Sequence, residues 1–267
     1  MSAIAIVGGG MLGETILAGL IRSGVSADDL VVVERRAERV AELRERHGVS
    51  AGSSTDAVES ADTVFLVVKP QDMDAVLVDL APHLRPDALV ISLAAGITVD
   101  FIEARLATGT PVVRVMPNTP AQVGECMAVV SPGNNSDESH MVRAESLMGS
   151  VGRVVRQTEA LMDAVTAVSG SGPAYVFFVV EAMIDAGVDL GLSPEIAKEL
   201  VVQTVLGAAA MLRETGESPS VLRQQVTSPG GTTAAALRQF EELDVHGAFV
   251  RGMTAARDRS RELATGG

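Results

Sequence analysis

Residues 226–241, VTSPGGTTAAALRQFE, carry the most specific arrangement of chemistry-bearing groups in the chain. Pro229 stops a preceding helix, and Gly230 with Gly231 permits a tight turn and the close approach of a ligand. Thr232 or Thr233 is placed to cap the helix opened by residues 234–237. A helix start of this kind offers unpaired N–H groups and a positive dipole end, a seat for a carboxylate or a phosphate. Read alone, the same segment is equally an ordinary helix cap.

The opposite end of the chain carries a second anion-binding pattern. IAIVGGGMLGETI (4–16) is an apolar strand, then Gly8-x-Gly10-x-x-Gly13, then a helix. That context predicts a dinucleotide: Gly8 for the turn, Gly10 for the approach of the pyrophosphate, Gly13 for helix–strand packing, with Gly9, Met11 and Leu12 completing the loop. The next strand ends at Glu34, twenty-one residues after Gly13, followed by Arg35 and Arg36. A carboxylate there takes the ribose hydroxyls of NAD, whereas arginines suit the extra phosphate of NADP. Both signals stand, so these residues leave the choice between NADH and NADPH open.

Three further strands end in unusual loops: Lys69-Pro70 after a run closing on Val67 and Val68, Ala94-Ala95-Gly96, and Met116-Pro117-Asn118-Thr119-Pro120. In an open α/β sheet, ligands lie outside the carboxyl ends of the strands. Lys69 is one of only two lysines, and small residues at 94–96 would admit a flat nicotinamide ring. In AVSGSGPAY (167–175) a helix is expected to break at residues 169–172 and restart at Pro173.

These groups need a scaffold. Seven short apolar runs (4–7, 30–33, 64–68, 88–93, 112–116, 127–130 and 151–155) alternate with amphipathic stretches, predicting a parallel sheet covered on both faces. Beyond about residue 160 only helices are expected, at 161–168, 173–188, 194–214, 232–243 and 246–264. Ser193-Pro194 opens one of them as cap and first residue. That helix is apolar around much of its circumference, so it requires a partner, most simply a second copy of the chain. The fold class is therefore α/β: a Rossmann-type dinucleotide-binding domain over 1–159, then an all-α substrate-binding and dimerisation domain over 160–267.

Composition narrows the function. Hydrophobic residues make up 47% of 267, the net charge is −13, and there is no Trp. A nucleic-acid surface of stacked aromatics and basic stripes is excluded. The single Cys126 forms no internal disulfide and no metal-ligand spacing, so no metal is expected. The most apolar window, 174–192, is interrupted by Glu181, Asp185 and Asp189, which a membrane span would not readily accept. The N-terminus enters its first strand without a charged leader, and a soluble cytoplasmic protein is the expectation.

Taken in order, the glycine loop, VVKP, RVMPNTP, AVSGSGPAY and VTSPGGTTAAALRQFE resemble the pyrroline-5-carboxylate reductases over essentially the whole chain. The resemblance implies reduction of 1-pyrroline-5-carboxylate to L-proline, the last step of proline biosynthesis, with NADPH and alternatively NADH. It puts the carboxylate of this small imino acid on N–H groups of Gly231, Thr232 and Thr233, with Ser228 beside them and the Thr233 hydroxyl on the ring nitrogen. It also implies Glu159 near the substrate. On the cofactor it implies the glycine loop, Glu34, Arg35, Arg36, Ser54, residues 67–70, Ala95 and Asn118. Glu34 departs from the neutral residue of many relatives and would repel a 2′-phosphate unless Arg35 and Arg36 compensate. The family's dimers, often joined into decamers, imply a homo-oligomer. None of the four histidines lies in a motif, so the proton is expected from solvent or from substrate arriving as the iminium. The β-hydroxyacid dehydrogenases require a helix lysine with asparagine four residues on, but Lys198 is followed there by Val202. A non-catalytic nucleotide sensor on the same scaffold is the remaining rival.

Overall fold

In the computed structural model, which describes residues 3–264, four-residue strands of β-branched and aliphatic residues bury both faces. In β1 (Ile4–Val7), β4 (Thr63–Leu66) and β5 (Leu89–Ser92) every position is buried. With β2 (Leu30–Val33), β3 (Ser50–Gly52), β6 (Val112–Met116), β7 (Cys126–Pro132) and β8 (Gly152–Arg156), they form one sheet ordered β3-β2-β1-β4-β5-β6-β7-β8. Helices α1 (Met11–Arg22), α2 (Ala37–His47), α3 (Met73–Leu80), α4 (Val99–Glu103) and α5 (Glu138–Met148) connect the strands. Two apolar cores result, one centred on Ile6, Leu20, Phe65 and Ile91, the other on Val64, Leu66, Leu77 and Val90. Strand order reverses between β1 and β4, the point where such sheets leave a crevice at their carboxyl edge.

The sheet departs from the expected all-parallel arrangement at one ladder. β6 and β7 pair antiparallel, Val113 opposite Pro132 and Met116 opposite Val129, before β7 and β8 resume parallel pairing. The link between them holds only a short 3-10 turn, Thr119–Val123, too little for the crossover a parallel pair needs. Strand β3 escapes the sequence reading because Ser50–Gly52 contains no apolar run. It is found only as the partner of residues 31–33 of β2.

The rest is helical: α6 (Met162–Val165), α7 (Gly172–Asp189), α8 (Pro194–Thr215), α9 (Pro219–Gln225), α10 (Thr232–Glu242) and α11 (Val245–Ala264). The seven-residue α9 was not expected. The expected break at 169–172 is instead a π-turn over Thr166–Gly170, closed by Ser171 N–H on the Thr166 carbonyl at 2.8 Å. Pro173, just beyond this turn, has no N–H to offer the Ser169 carbonyl four residues earlier. Ser193 caps α8 as expected, its hydroxyl accepting from Ile196 N–H.

The chain divides into two compact units. One runs to Ser171 and takes in the stretch beginning at Ala256; the other is Gly172–Ala255. In the first, Ser260 Oγ ties α11 to Asp163 at 2.7 Å. In the second, α7 and α8 approach closely at Gly187, where an added Cβ would lie 3.2 Å from that of Ala197. α7 has no buried residue, and Phe177, Phe178, Leu200 and Leu206 of α7 and α8 lie exposed.

Candidate functional site

The glycine loop is built by packing on three sides and openness on one. Gly8 is left-handed at φ 109°, and a Cβ there would stand 2.3 Å from the Val67 carbonyl. A Cβ on Gly13 would stand 1.9 Å from the Gly8 carbonyl, so the first turn of α1 rests directly on β1's end. A Cβ on Gly9 would strike Leu43 of α2 at 2.7 Å. Gly10 alone faces open space, and it is the N-cap of α1, with no side chain capping the helix. The exposed N–H groups at this helix start and the gap over Gly10 fit a pyrophosphate.

Around that loop lies a cleft of about 650 Å³, lined by residues from β1, β2, α3 and the turns after β1, β2, β3 and β4. It gathers Gly8, Gly10, Glu34, Arg35, Arg36, Val67, Val68 and Lys69 as the sequence anticipates. It also includes Ser53, Thr55 and Gln71, which carried no motif signal. Ser54 does not line it. Its hydroxyl accepts Asp56 N–H at 3.2 Å and caps the following 3-10 turn, leaving its neighbours to face the cleft. Pro70 opens a second short turn behind an exposed Lys69, and Ala95 lies exposed after β5. Met11 projects outward, while Leu12 packs on the core.

Glu34 and Arg36 are locked together. Glu34 Oε1 accepts Arg36 N–H at 2.9 Å and Nε at 3.1 Å, and Oε2 accepts Nη2 at 3.2 Å. Burial pushes the Glu34 carboxyl up, but the Arg36 fork and amide outweigh it and hold the group below the ordinary glutamate range. Arg35 is exposed toward the cleft. Beneath the loop, Glu14 receives Arg39, Arg46 Nη1 at 2.6 Å and His47 Nε2 at 2.9 Å. Burial raises its pKa, yet those three partners lower it to about 2.

Asn118 is bound at both ends of its amide. Oδ1 accepts Met127 N–H at 2.9 Å, and Nδ2 donates to the Ser169 carbonyl at 3.2 Å. That carbonyl is the one Pro173 cannot serve, so Asn118 ties the π-turn to the sheet's carboxyl edge. Glu159 is equally engaged: Oε1 accepts Arg114 Nη1 at 2.7 Å and Val99 N–H at 3.1 Å, while Oε2 is buried without a partner among the described residues. Arg114 is itself buried on β6, so this ion pair fixes the segment leading into α6.

In the second unit, the 226–233 segment forms a turn and a bare helix start. Gly230 is left-handed at φ 70°, and a Cβ on Gly231 would lie 2.4 Å from Ser228 Oγ. Neither Thr232 nor Thr233 caps α10, contrary to expectation. Gly231 is the N-cap and no side chain serves the first turn. Gly231 N–H, expected to face the anion, instead donates to the Ser228 carbonyl at 3.0 Å. The first helical closure is Ala235 N–H on the Gly231 carbonyl, which leaves Thr232, Thr233 and Ala234 as the N–H groups of the helix start.

Two other histidines, His83 and His140, lie outside the cleft around the glycine loop. His83 pairs with Glu59 and Asp56 on the surface, a cluster whose ligand atoms lie within 4.8 Å of one another, and His140 belongs to the cap of α5.

Residues 159–263 match the family described as pyrroline-5-carboxylate reductase dimerisation, and residues 3–96 that described as NADP oxidoreductase, coenzyme F420-dependent. A pyrroline-5-carboxylate reductase from Corynebacterium melassecola is 45% identical over 98% of this chain and 99% of its own. The solved structure of a pyrroline-5-carboxylate reductase from Coxiella burnetii superposes with a TM-score of 0.93 at 38% identity, covering 98% of both chains. A Plasmodium falciparum pyrroline carboxylate reductase, solved with NADP bound, superposes at 0.87 and 28% identity over 98% of both.

Proposed function

The chain belongs to the pyrroline-5-carboxylate reductase family, and from that premise we propose which of its own residues carry the reaction. It is an NAD(P)H-dependent oxidoreductase of proline biosynthesis that reduces the C=N bond of 1-pyrroline-5-carboxylate to L-proline. The substrate carboxylate sits on the start of α10, on the N–H groups of Thr232, Thr233 and Ala234, with Ser228 and the Gly231 turn shaping the seat. The Thr233 hydroxyl hydrogen-bonds the ring nitrogen. The observation that carries this assignment is the bare α10 start behind a left-handed Gly230.

The dinucleotide lies in the cleft of the first unit. Gly8 and Gly9 shape the turn on which the N–H groups of Gly10, Met11, Leu12 and Gly13 hold its pyrophosphate, and Glu34, Arg35 and Arg36 meet its ribose end. Residues 67–70 and Ala95 line the path to the nicotinamide. Ser54 and Asn118 act through the turns they fasten, and Glu159 through its hold on Arg114. The gap over Gly10 and the uncapped α1 support this reading. When bound, the reduced nicotinamide supplies the hydride that the imine carbon accepts. An iminium is already electrophilic, so the chain's contribution is orientation and exclusion of water, and the nitrogen's proton comes from solvent or arrives with the substrate.

We draw the domain junction at 159/160, separating 1–159 from 160–267. The dimerisation match beginning at residue 159 supports it, although the compact units part later, at Ser171 and Gly172, with the stretch from Ala256 packed on the first. The oligomer is a dimer that assembles further into a decamer, and the enzyme is cytoplasmic.

Thr233→Val tests the assignment. Loss of one hydrogen bond to a charged ring nitrogen lowers kcat/KM for the imine about tenfold to a hundredfold, with cofactor KM unchanged. Wild-type turnover in the variant would remove Thr233 from the site.

A further inference from the structure

Arg39 lies in the arginine-rich α2, yet its side chain is only 15% exposed. Each nitrogen of its guanidinium has a separate partner. Nε donates to the Gly9 carbonyl at 2.7 Å, Nη2 to Glu14 Oε2, and Nη1 to Glu42 Oε2 at 2.8 Å. Gly9 and Glu14 flank Gly10, the N-cap of α1. One planar fork from α2 therefore grips the glycine loop on one side of the cap and the first helical turn on the other.

We propose that Arg39 is a positioning residue for the dinucleotide: it holds the Gly9 carbonyl toward α2 and offsets the Glu14 charge at the helix start that receives the pyrophosphate. The inference rests on the reading of the glycine loop as the cofactor seat. Three successive glycines leave a backbone with wide conformational freedom, and ordering it on binding would weaken affinity. A carbonyl turned into the seat would also repel phosphate oxygens. The Arg39–Gly9 bond removes both difficulties before the cofactor arrives. Glu14 poses a separate problem, since a carboxylate in the first turn of α1 opposes an anion at the same terminus. Arg39 and Arg46 face that single carboxylate with two guanidinium groups, and His47 also lies against it. Fork geometry matters here, because a lysine offers one point charge and cannot span Gly9 and Glu14 together.

The test compares full-length wild type with Arg39→Met, Arg39→Lys and Arg46→Met. Binding of NADPH and of NADH is followed by titration calorimetry, alongside steady-state kinetics with pyrroline-5-carboxylate. Arg39→Met is expected to raise Kd for both cofactors by a common factor, about tenfold to a hundredfold. At saturating cofactor, kcat and the KM for pyrroline-5-carboxylate stay within about twofold. Arg46→Met, which strips one countercharge from Glu14 without touching the Arg39–Gly9 bond, stays within about threefold of wild type in cofactor affinity. Unchanged cofactor Kd in Arg39→Met, a loss that falls on kcat, or an equal loss in Arg46→Met overturns the proposal. If circular dichroism shows Arg39→Met unfolded, Arg39→Lys decides. A cofactor Kd about threefold to tenfold higher with kcat retained supports the clamp, and an unchanged Kd overturns it. Wild-type protein that bound neither dinucleotide would instead refute the cofactor seat itself, and the clamp with it.

Discussion

In the cofactor seat proposed above, Glu34 and Arg35 stand side by side at the end of β2 and would pull cofactor choice in opposite directions. Glu34 is ionised and its two oxygens already accept three bonds from Arg36. It therefore offers ribose hydroxyls a shared acceptor and presents a 2′-phosphate with a charge that Arg36 offsets. Arg35 lines the cleft and is exposed, a cation available to that phosphate. Arg35→Ala should raise KM for NADPH about tenfold while changing that for NADH little, the size of one charge-assisted hydrogen bond. Glu34→Gln should move the ratio of kcat/KM for NADPH over NADH upward, because it frees Arg36 as well. Measuring that ratio in both variants checks the assignment, and equal effects on the two cofactors would contradict it.

At the scale of elements, the contact at Gly13 between α1 and the end of β1 is the closest any described glycine of the first unit makes. Alanine at Gly13 would bring its Cβ within 1.9 Å of the Gly8 carbonyl, backbone against backbone, so the helix must shift away from the strand. Gly13→Ala is expected to destabilise the fold by about 2–4 kcal/mol and to weaken cofactor binding, read as a lower Tm together with a raised cofactor Kd. This contact was legible from the glycine spacing, as were seven of the strands and the Ser193 cap. Other features had no local signal. β3 is held only by pairing with β2, and the antiparallel turn of β7 follows from the shortness of a loop. α10 takes its cap from Gly231 rather than from the hydroxyls beside it. Ser53 and Thr55 face the cleft because Ser54 folds back onto its own turn. Arg39 carries no motif signal, and its grip on Gly9 shows only with α2 laid over the glycine loop. What the sequence concealed was tertiary: which of several chemically similar neighbours is turned toward the ligand.

The whole molecule leaves its second unit with an apolar surface that one chain cannot cover. No residue of α7 is buried, Phe177 is 65% exposed, and Leu206 of α8 is 60% exposed. Helical residues 159–189 are long and apolar enough, by length and composition alone, to cross a membrane. Three carboxylates, Glu181, Asp185 and Asp189, interrupt the apolar stretch of that helix, and a bilayer would charge several kcal/mol for them. A second copy of α7 and α8 satisfies both facts, because an interface buries the aromatic and aliphatic face while its rim stays wet for the acids. The dimerisation match over residues 159–263 points the same way. Light scattering on the purified protein should therefore give a mass of at least twice the 27.7 kDa chain without detergent. Leu206→Asp, which plants a charge in the apolar face, should shift that mass toward the single chain and lower Tm. Activity should fall with it, since the helical unit proposed to seat the substrate would lose the packing that steadies it. A full-sized oligomer in Leu206→Asp would move the interface to another face of the helices, and a requirement for detergent would return the long helix to the membrane.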